Sequence, residues 1–250
     1  MDPLIRPRLV SILAALLAVA LPQAGHAAEA AASCQAVSAV ARVTLVELYT
    51  SEGCDSCPPA DRWLSGLKGR PDVLAAAFHV DYWDRLGWKD RFAGQRNTAR
   101  QAESQRWSGA RFSYTPQVLV NGKDWRYQQG LPTAAAPAAV RVQLVRESEA
   151  RVRVAVQALD GSPPRLGAWW AVLEDDHVSV VRAGENAGAT LHHDHVVRAQ
   201  GQLPPRPAAE TAPWSIDVPA IGEGGRRVRV LLVVIDAGTG LPLQAVQLRC

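Results

Sequence analysis

The feature that most constrains this chain is an apolar, strand-like run that leads directly into two cysteines three positions apart. Residues 43–50 are mostly apolar, and Cys54 and Cys57 follow after a short turn. This order places a thiol pair at the carboxyl end of a buried strand, where open α/β sheets carry their reactive groups. Two thiols at this spacing can close a small disulfide, bind a soft metal or exchange with the disulfide of another protein.

The first residues have the pattern of a secretion signal. Arg6 and Arg8 give a positive start, residues 9–21 are almost wholly apolar, and small residues follow. We therefore predict a cleaved signal peptide over residues 1–28 and a secreted or periplasmic mature protein. The apolar run is shorter than the roughly 20 residues that a membrane-spanning helix needs. Because no later segment is long and apolar enough, we expect no membrane span in the mature chain.

The length and charge of the chain bear on its domain number and on its class of binding partner. Removal of the signal leaves roughly 220 residues, enough for one large domain or two modest ones. The formal net charge is +3, and no basic stretch interleaves with aromatic residues. We therefore do not expect nucleic acid as a partner, and no cofactor is predicted.

The chain contains four cysteines, and in an oxidising compartment an even number favours pairing. Cys54 and Cys57 form the local pair, which leaves Cys34 and Cys250. Chain termini often lie close together on a domain surface, so we predict a structural Cys34–Cys250 disulfide. The alternative is that one of these two is a free thiol that serves the central pair.

Local patterns predict the order of elements. From the first strand onward they predict a helix that starts at Pro58, a strand over 73–80, a helical region over 90–107, a strand–turn–strand unit around Asn121–Gly122, and an alanine-rich helix over 134–147. Asn-Gly is the strongest short hairpin signal. From Arg151 apolar residues recur with period two, which indicates an all-β half. We divide the chain into domains at 40–149 and 150–250.

The first half resembles a thioredoxin fold in its order of strand, Cys-x-x-Cys, helix, strand, Thr-Pro, strand, turn and strand. The resemblance implies an α/β thioredoxin-like domain followed by a C-terminal all-β, sandwich-like domain. In that fold the loop with a cis-proline lies against the dithiol, and the residue before the proline faces the sulfurs. By resemblance, Thr115 and Pro116 take these places.

Longer motifs resemble one family. They lie at residues 47–61, 78–84, 86–90, 114–117, 182–188 and 196–198. These segments are similar to the DUF1223 family, whose members look like secreted bacterial proteins of thioredoxin-like fold without an assigned function. The resemblance spans nearly the whole mature chain. It implies a fold and a location, and no reaction.

The leading hypothesis for function is thiol–disulfide exchange with the thiols or disulfides of exported proteins, or with a redox partner protein. By analogy with redox thioredoxins, Cys54 attacks and Cys57 resolves. The negative charge of Asp55 and the late helix start at Pro58 oppose a strongly stabilised Cys54 thiolate. Glu47 is either a buried acid that relays protons to the dithiol or a residue on the solvent face of its strand. The first alternative is a non-catalytic interaction module in which the disulfide is permanent and structural.

The second alternative is a binding site for a soft metal such as Cu(I), which thiolates favour. Candidate histidine ligands are His79, at a strand end, and His193 with His195, which project from one face if residues 192–195 form a strand. We also interpret Asp81, Tyr82, Trp83, Asp84 and Trp88 as walls of a cleft around the dithiol. Residues 182–188 are interpreted as a contact that packs the β-rich half onto the first half.

Overall fold

The computed structural model describes residues 34–132, 136–221 and 225–250. Strands dominate these residues. In chain order they are β1 (Gln35–Val37), β2 (Thr44–Thr50), β3 (Val73–His79), β4 (Gln117–Val120), β5 (Lys123–Trp125), β6 (Val140–Ser148), β7 (Arg151–Ala158), β8 (Arg165–Glu174), β9 (His177–Val180), β10 (Thr190–His193), β11 (Val196–Pro207), β12 (Trp214–Asp217), β13 (Arg229–Asp236) and β14 (Pro242–Arg249).

The larger sheet has eight strands in the order β14-β13-β8-β11-β3-β2-β4-β5. At its centre β2 runs parallel to β3 and antiparallel to β4. β11 joins the two halves of the sheet: it is parallel to β3, where Val196 pairs with Ala77, and antiparallel to β8 over most of its length. Sequence-distant strands thus form one mixed sheet.

Strand β2 is buried on both faces, as the near-continuous apolar run of a central strand requires. Leu45 and Tyr49 pack on one face in a cluster that includes Trp169. Val46 and Leu48 pack on the other face. The odd-numbered residues of β2 thus face one layer of the protein and its even-numbered residues face the other.

The helices are few. They are α1 (Pro58–Ser65), α2 (Gln95–Ser108) and the short 3₁₀ helices Asp81–Leu86 and Tyr127–Gln129. α1 follows the Cys loop, and its Ala60 and Leu64 pack in the same cluster as Val46 and Leu48. None of the helices in the described residues has the length and apolar character that a membrane crossing requires.

A second sheet of four strands, in the order β1-β6-β7-β12, packs on the β8–β13–β14 part of the larger sheet. Val142 and Val154 of this sheet lie in one cluster with Val172 and Leu232 of the larger one. Strands β9 and β10 form a separate two-stranded hairpin. From residue 34 on, the described residues belong to one compact unit.

The predicted fold class, an α/β thioredoxin-like domain followed by an all-β domain, is wrong. The structure is 44% strand and only 15% helix, and its described residues form large mixed sheets without an evident thioredoxin-like α/β core. The physical reason is the pairing of β3 with β11, which merges strands of both halves into one sheet. The predicted boundary near residue 150 falls in the turn between β6 and β7, and the division into two domains stays a prediction.

Two local predictions have opposite outcomes. The helix expected over 134–147 is wrong, because Val140–Ser148 forms β6, whose Val140, Val142 and Leu144 alternate inward with period two. The hairpin turn at Asn121–Gly122 is confirmed: both residues have positive φ, 49° and 78°, and they connect β4 to β5. The predicted signal peptide over residues 1–28 lies outside the described residues.

Candidate functional site

The predicted pair of cysteines forms a disulfide directly after β2. The Cα atoms of Cys54 and Cys57 are 5.5 Å apart. Two tight turns make this approach possible, since the Cys54 N–H donates to the carbonyl of Ser51 and the Cys57 N–H donates to the carbonyl of Cys54. Both cysteines are 0% exposed, although Asp55 and Ser56 between them are exposed. Cys54, the predicted attacking residue, is therefore buried in this conformation.

Helix α1 begins immediately at the disulfide. Cys57 is its N-cap residue, and the N–H groups of Ala60 and Asp61 donate to the Cys57 carbonyl. Pro58 occupies the first turn, where a missing N–H costs no helical hydrogen bond. Cys54 lies one turn before the helix, and its sulfur is 3.3 Å from the Ser56 hydroxyl. That hydroxyl is placed to donate a hydrogen bond to a Cys54 thiolate in the reduced protein.

A cluster of buried ionisable side chains lies at the same end of the sheet. His79 ends β3 and pairs in register with Thr50 of β2, so the carboxyl ends of two parallel strands meet here. The cluster, each member at most 7% exposed, consists of Glu52, Asp61, His79, Asp90 and His193. Such a concentration of buried charge costs stability, because each ionised group must give up its hydration.

Short contacts connect four of the five members of the cluster, and Asp61 accepts a hydrogen bond from the Thr50 hydroxyl. His79 Nδ1 lies 2.6 Å from Asp90 Oδ2, which also accepts the Glu52 backbone N–H at 3.0 Å. His193 Nε2 lies 3.3 Å from Glu52 Oε1, and the His79 and His193 rings are 4.9 Å apart. Trp88 Nε1 donates to Glu52 Oε2 at 2.7 Å. The Glu52 side chain thus sits between a tryptophan and a histidine, two residues before Cys54.

The contacts shift the pKa values of the cluster in both directions. Burial raises the pKa of Asp61. Burial by itself lowers the pKa of His79, but the Asp90 carboxylate outweighs it, so the pKa of His79 is raised and that of Asp90 is lowered. Burial works against Glu52 ionisation, yet its polar contacts, that with His193 foremost, together outweigh burial and lower the pKa of Glu52. Perturbed pKa values of this kind are concentrated at functional sites.

The segment over 182–188, which we call the covering loop, connects β9 to β10 and contacts the backbone of the Cys loop. Asn186 Nδ2 donates to the carbonyls of Glu52 and Cys54, each at 2.9 Å. Glu185 Oε2 accepts the Asp55 N–H at 3.1 Å. The loop therefore contacts the Cys loop itself, in addition to any role in packing the two halves of the chain.

The peptide bond between Thr115 and Pro116 is cis. Thr115 Oγ1 accepts a 2.7 Å hydrogen bond from Trp83 Nε1. Pro116 lines a surface depression of about 970 Å³ together with Ser56 of the Cys loop. Pro116 and the Cys loop thus line the same depression, and the role of the Thr-Pro segment at the dithiol stays a prediction.

Of the other predicted wall residues, Trp88 contacts Glu52 as described. Asp81–Leu86 forms a 3₁₀ helix that places Trp83 against the Cys loop, where its Cβ is 3.1 Å from the position of a Cβ on Gly53. Asp84 Oδ1 accepts the Asp90 N–H. The segment thus forms one wall of the site and holds the backbone of Asp90 in position.

The structure does not place Glu47 at the disulfide. Its side chain is 3% exposed and pairs with Arg100 Nη2 of α2 at 2.6 Å. The Arg100 guanidinium lies 3.8 Å from the centre of the Trp169 ring. Because odd-numbered β2 residues face away from α1, Glu47 lies in the opposite layer of the protein, and a proton relay from it stays a prediction.

The three histidines predicted as metal ligands are only partly brought together. His79 and His193 are neighbours. β10 ends at His193, and His195 adopts a φ of 57° in the connection to β11, where its N–H donates to Asp175. Burial, followed by the Arg229 charge, lowers the pKa of His195 to about 4. Among the described residues no group of three or more His, Cys, Asp or Glu side chains is arranged to hold a metal ion.

Cys34 and Cys250 form the second disulfide, with Cα atoms 5.9 Å apart. It ties the strand β1 to the end of β14, and Arg146 Nε lies 3.4 Å from the Cys250 sulfur. Every cysteine is thus paired.

Sequence reasoning missed Glu52, Asp61, Asp90 and Asn186 as members of the site. A usable signal existed for two of them: Glu52 is an acid two residues before Cys54, and Asp61 is an acid in the first turn of the following helix. Asn186 carried no local signal, because only the tertiary fold brings it to the Cys loop.

A family model described as a protein of unknown function, DUF1223, matches residues 45–235. Among curated proteins, no match was found.

Two solved structures are similar in fold. Protein AGR_C_4864 of Agrobacterium tumefaciens is 25% identical, with a TM-score of 0.60, and the similarity covers 83% of this chain and 94% of that one. HBP35 of Porphyromonas gingivalis is 14% identical, with a TM-score of 0.55, covering 84% of this chain and 76% of that one. The second similarity concerns the fold alone.

Proposed function

The chain belongs to the DUF1223 family, a family of unknown function, and we propose that it is an exported thiol–disulfide oxidoreductase that acts through Cys54 and Cys57. Export is supported by the signal-like first residues and by two disulfides, which persist in oxidising compartments. The partners we propose are thiols or disulfides of exported proteins, or a redox partner protein.

One observation carries the proposal. Five buried ionisable groups lie at the end of the sheet that carries the Cys loop, and Glu52, His79 and His193 have buried polar atoms without a hydrogen-bond partner. A disulfide that only staples a loop needs no such groups, and their burial lowers stability. Proton transfer is needed, by contrast, whenever a buried disulfide is reduced to thiols. The cluster therefore favours chemistry at the disulfide over a purely structural role.

The exchange proceeds in two steps. The Cys54 thiolate attacks one sulfur of a partner disulfide, a mixed disulfide forms, and the partner's second sulfur leaves as a thiolate. The Cys57 thiolate then attacks the Cys54 sulfur, the Cys54–Cys57 bond forms, and the partner's remaining sulfur leaves. The partner gains two electrons and the dithiol loses them. The same steps run in reverse when the partner is the stronger reductant.

Mixed-disulfide trapping tests the proposal. The Cys57→Ala variant cannot resolve the first intermediate, so it should retain exported proteins as mixed disulfides that a thiol reductant releases. The Cys54→Ala variant is the matched control and should retain none. Absence of trapped partners, together with no reduction of insulin by the wild-type dithiol, would remove the proposal.

The burial of both cysteines favours a second candidate, a non-catalytic interaction module with a structural disulfide. A redox titration separates the two. A structural disulfide should have a reduction potential below about −300 mV, whereas a catalytic one should lie above it, in the range of known exchange proteins. A Cu(I) site is not proposed, since no suitable ligand group is present among the described residues.

A further inference from the structure

The Cys54–Cys57 disulfide cannot react in the conformation described above, because neither cysteine has exposed surface. The exposed neighbours Asp55 and Ser56 show that the Cys loop itself reaches the surface. An attacking thiolate must approach a sulfur along the S–S axis, so some element must move before exchange. The elements that contact the Cys loop are candidates for this movement.

The covering loop is held on the Cys loop by three hydrogen bonds, and its Gly184 also lies against Trp88. Its contacts with the Cys loop are polar: two hydrogen bonds from Asn186 and one to the exposed Glu185. Hydrogen bonds near water exchange with solvent at small net cost. The other cover, Trp83, is anchored by its hydrogen bond to Thr115 and packs against an apolar cluster, so its displacement would expose a large aromatic surface.

The geometry of the loop suits a movement as one unit. Its own backbone bonds join Ala187 to Gly184 and Gly188 to Val181. Gly184 and Gly188 have positive φ values of 74° and 89°, and glycine accepts backbone rotation at small steric cost. The strands on either side stay fixed, because His177 of β9 and His193 of β10 are 0% and 2% exposed.

We propose that the covering loop is a gate over the Cys54–Cys57 disulfide, which Asn186 holds closed and which opens to admit a reacting thiol. The gate deepens the proposed function, on which it rests, by naming what controls access to the same site. Glu185 also helps to hold the loop closed, because its carboxylate accepts a hydrogen bond from the Asp55 N–H. Partners that react through this gate must present a cysteine on a narrow, protruding segment, since only the loop, and not the flanking strands, moves away.

Reduction kinetics test the gate without any biological partner. Tris(2-carboxyethyl)phosphine attacks one sulfur and breaks the S–S bond. It is itself oxidised to the phosphine oxide with an oxygen atom from water, and two thiols result. The second-order rate constant is proportional to the fraction of molecules with an open gate. Asn186→Ala removes two of the three hydrogen bonds, so we expect this rate constant to rise roughly tenfold.

A gate that closes equally over the disulfide and over the dithiol changes both rates and leaves the equilibrium unchanged. Reduction and re-oxidation of Asn186→Ala with dithiothreitol should therefore accelerate together, and the equilibrium constant should change less than twofold. Glu185→Ala, at an exposed position that should not affect folding, is expected to accelerate both by about threefold. Arg182→Ala is the matched control: this exposed residue of the same loop makes none of the contacts given above.

Two results would overturn the gate. In the first, both variants react within twofold of the Arg182→Ala control. In the second, only one direction accelerates, so that the equilibrium constant shifts and Asn186 acts on the stability of the dithiol instead of on access. Neither result affects the trapping experiment with Cys57→Ala. If that trapping fails while Asn186→Ala still reacts faster with the phosphine, the proposed function is removed and the gate remains.

Discussion

The Nε2 atom of His193 lies 3.3 Å from the Oε1 atom of Glu52, and both side chains are almost completely buried. The contact joins the β9–β10 hairpin to the Cys loop in the protein interior. Asn186, in the loop between the same two strands, joins it to the Cys loop through backbone carbonyls. The His193 contact is the largest of the polar interactions that together lower the pKa of Glu52 despite burial. Glu52, two residues before Cys54 in the chain, therefore carries a negative charge at neutral pH.

Removal of this charge should make the Cys54 thiol more acidic. In the reduced protein, Glu52→Gln should lower the pKa of the Cys54 thiol by about 0.5–1 unit, because a buried negative charge opposes a nearby thiolate. Ultraviolet absorbance of the thiolate as a function of pH measures it. Glu149→Gln, an exposed change in the turn between β6 and β7, is the control. An unchanged or higher Cys54 pKa would contradict the role given to Glu52.

The His79–Asp90 pair should give the protein a stability window in pH. The raised pKa of His79 contributes stability that is complete below about pH 6.5 and is lost as pH rises through the folded-state value. The lowered pKa of Asp90 contributes stability that is complete above about pH 3.9 and is lost as pH falls through its folded-state value. Both contributions are complete between these limits.

Asp90→Asn should therefore reduce the free energy of unfolding by about 3 kcal/mol between roughly pH 4 and 6.5. The loss should shrink toward higher and toward lower pH. Urea unfolding at a series of pH values measures this. Asp72→Asn, which removes an exposed partner of Arg70, should change stability little at any pH. A loss for Asp90→Asn that is independent of pH would contradict the charge-based account.

Glu47 should matter for folding and not for thiol chemistry. Glu47→Gln leaves Arg100 charged and buried against Trp169, so we expect a loss of about 3–5 kcal/mol in the free energy of unfolding. The pKa of the Cys54 thiol should stay unchanged, since Glu47 faces the other layer. A Cys54 pKa shift as large as that of Glu52→Gln would instead support the proton relay that the sequence suggests.

The Cys34–Cys250 disulfide should contribute strongly to stability. It closes a loop with a sequence separation of 216, for which the chain-entropy model gives roughly 5 kcal/mol as an upper value. The double variant Cys34→Ser/Cys250→Ser should unfold at a lower urea concentration and keep the reduction potential of Cys54–Cys57. A changed potential would mean that the outer cysteines serve the central pair.

The accuracy of the sequence predictions depended on how far apart the interacting residues are. The position of β2, the start of α1 at Pro58 and the Asn121–Gly122 turn follow from patterns within a few residues. The pairing of Val196 with Ala77 does not, because local periodicity shows that a segment is a strand and not which strand it joins. The wrong fold class follows from that single missing pairing.

Contacts between distant segments were unpredictable at the site as well. The disulfide was readable from spacing, and Glu52 and Asp61 were readable as neighbouring acids. The contacts of Asn186 and His193 come from a hairpin far along the chain, so no pattern around the cysteines indicates them. The misread helix at 134–147 has a different cause: alanine content favoured a helix, while burial of alternate valines in β6 decided the outcome.

The pairing of Cys34 with Cys250 imposes an order of events on synthesis. While the chain grows from its first residue, Cys34, Cys54 and Cys57 are all present long before Cys250. An early intramolecular oxidation of Cys34 can only join it to one of the site cysteines, which would separate that cysteine from its proper neighbour. Correct maturation therefore requires that Cys34 stays unpaired until Cys250 is available, which early closure of the nearby Cys54–Cys57 bond favours, or that a disulfide isomerase reshuffles the wrong bonds.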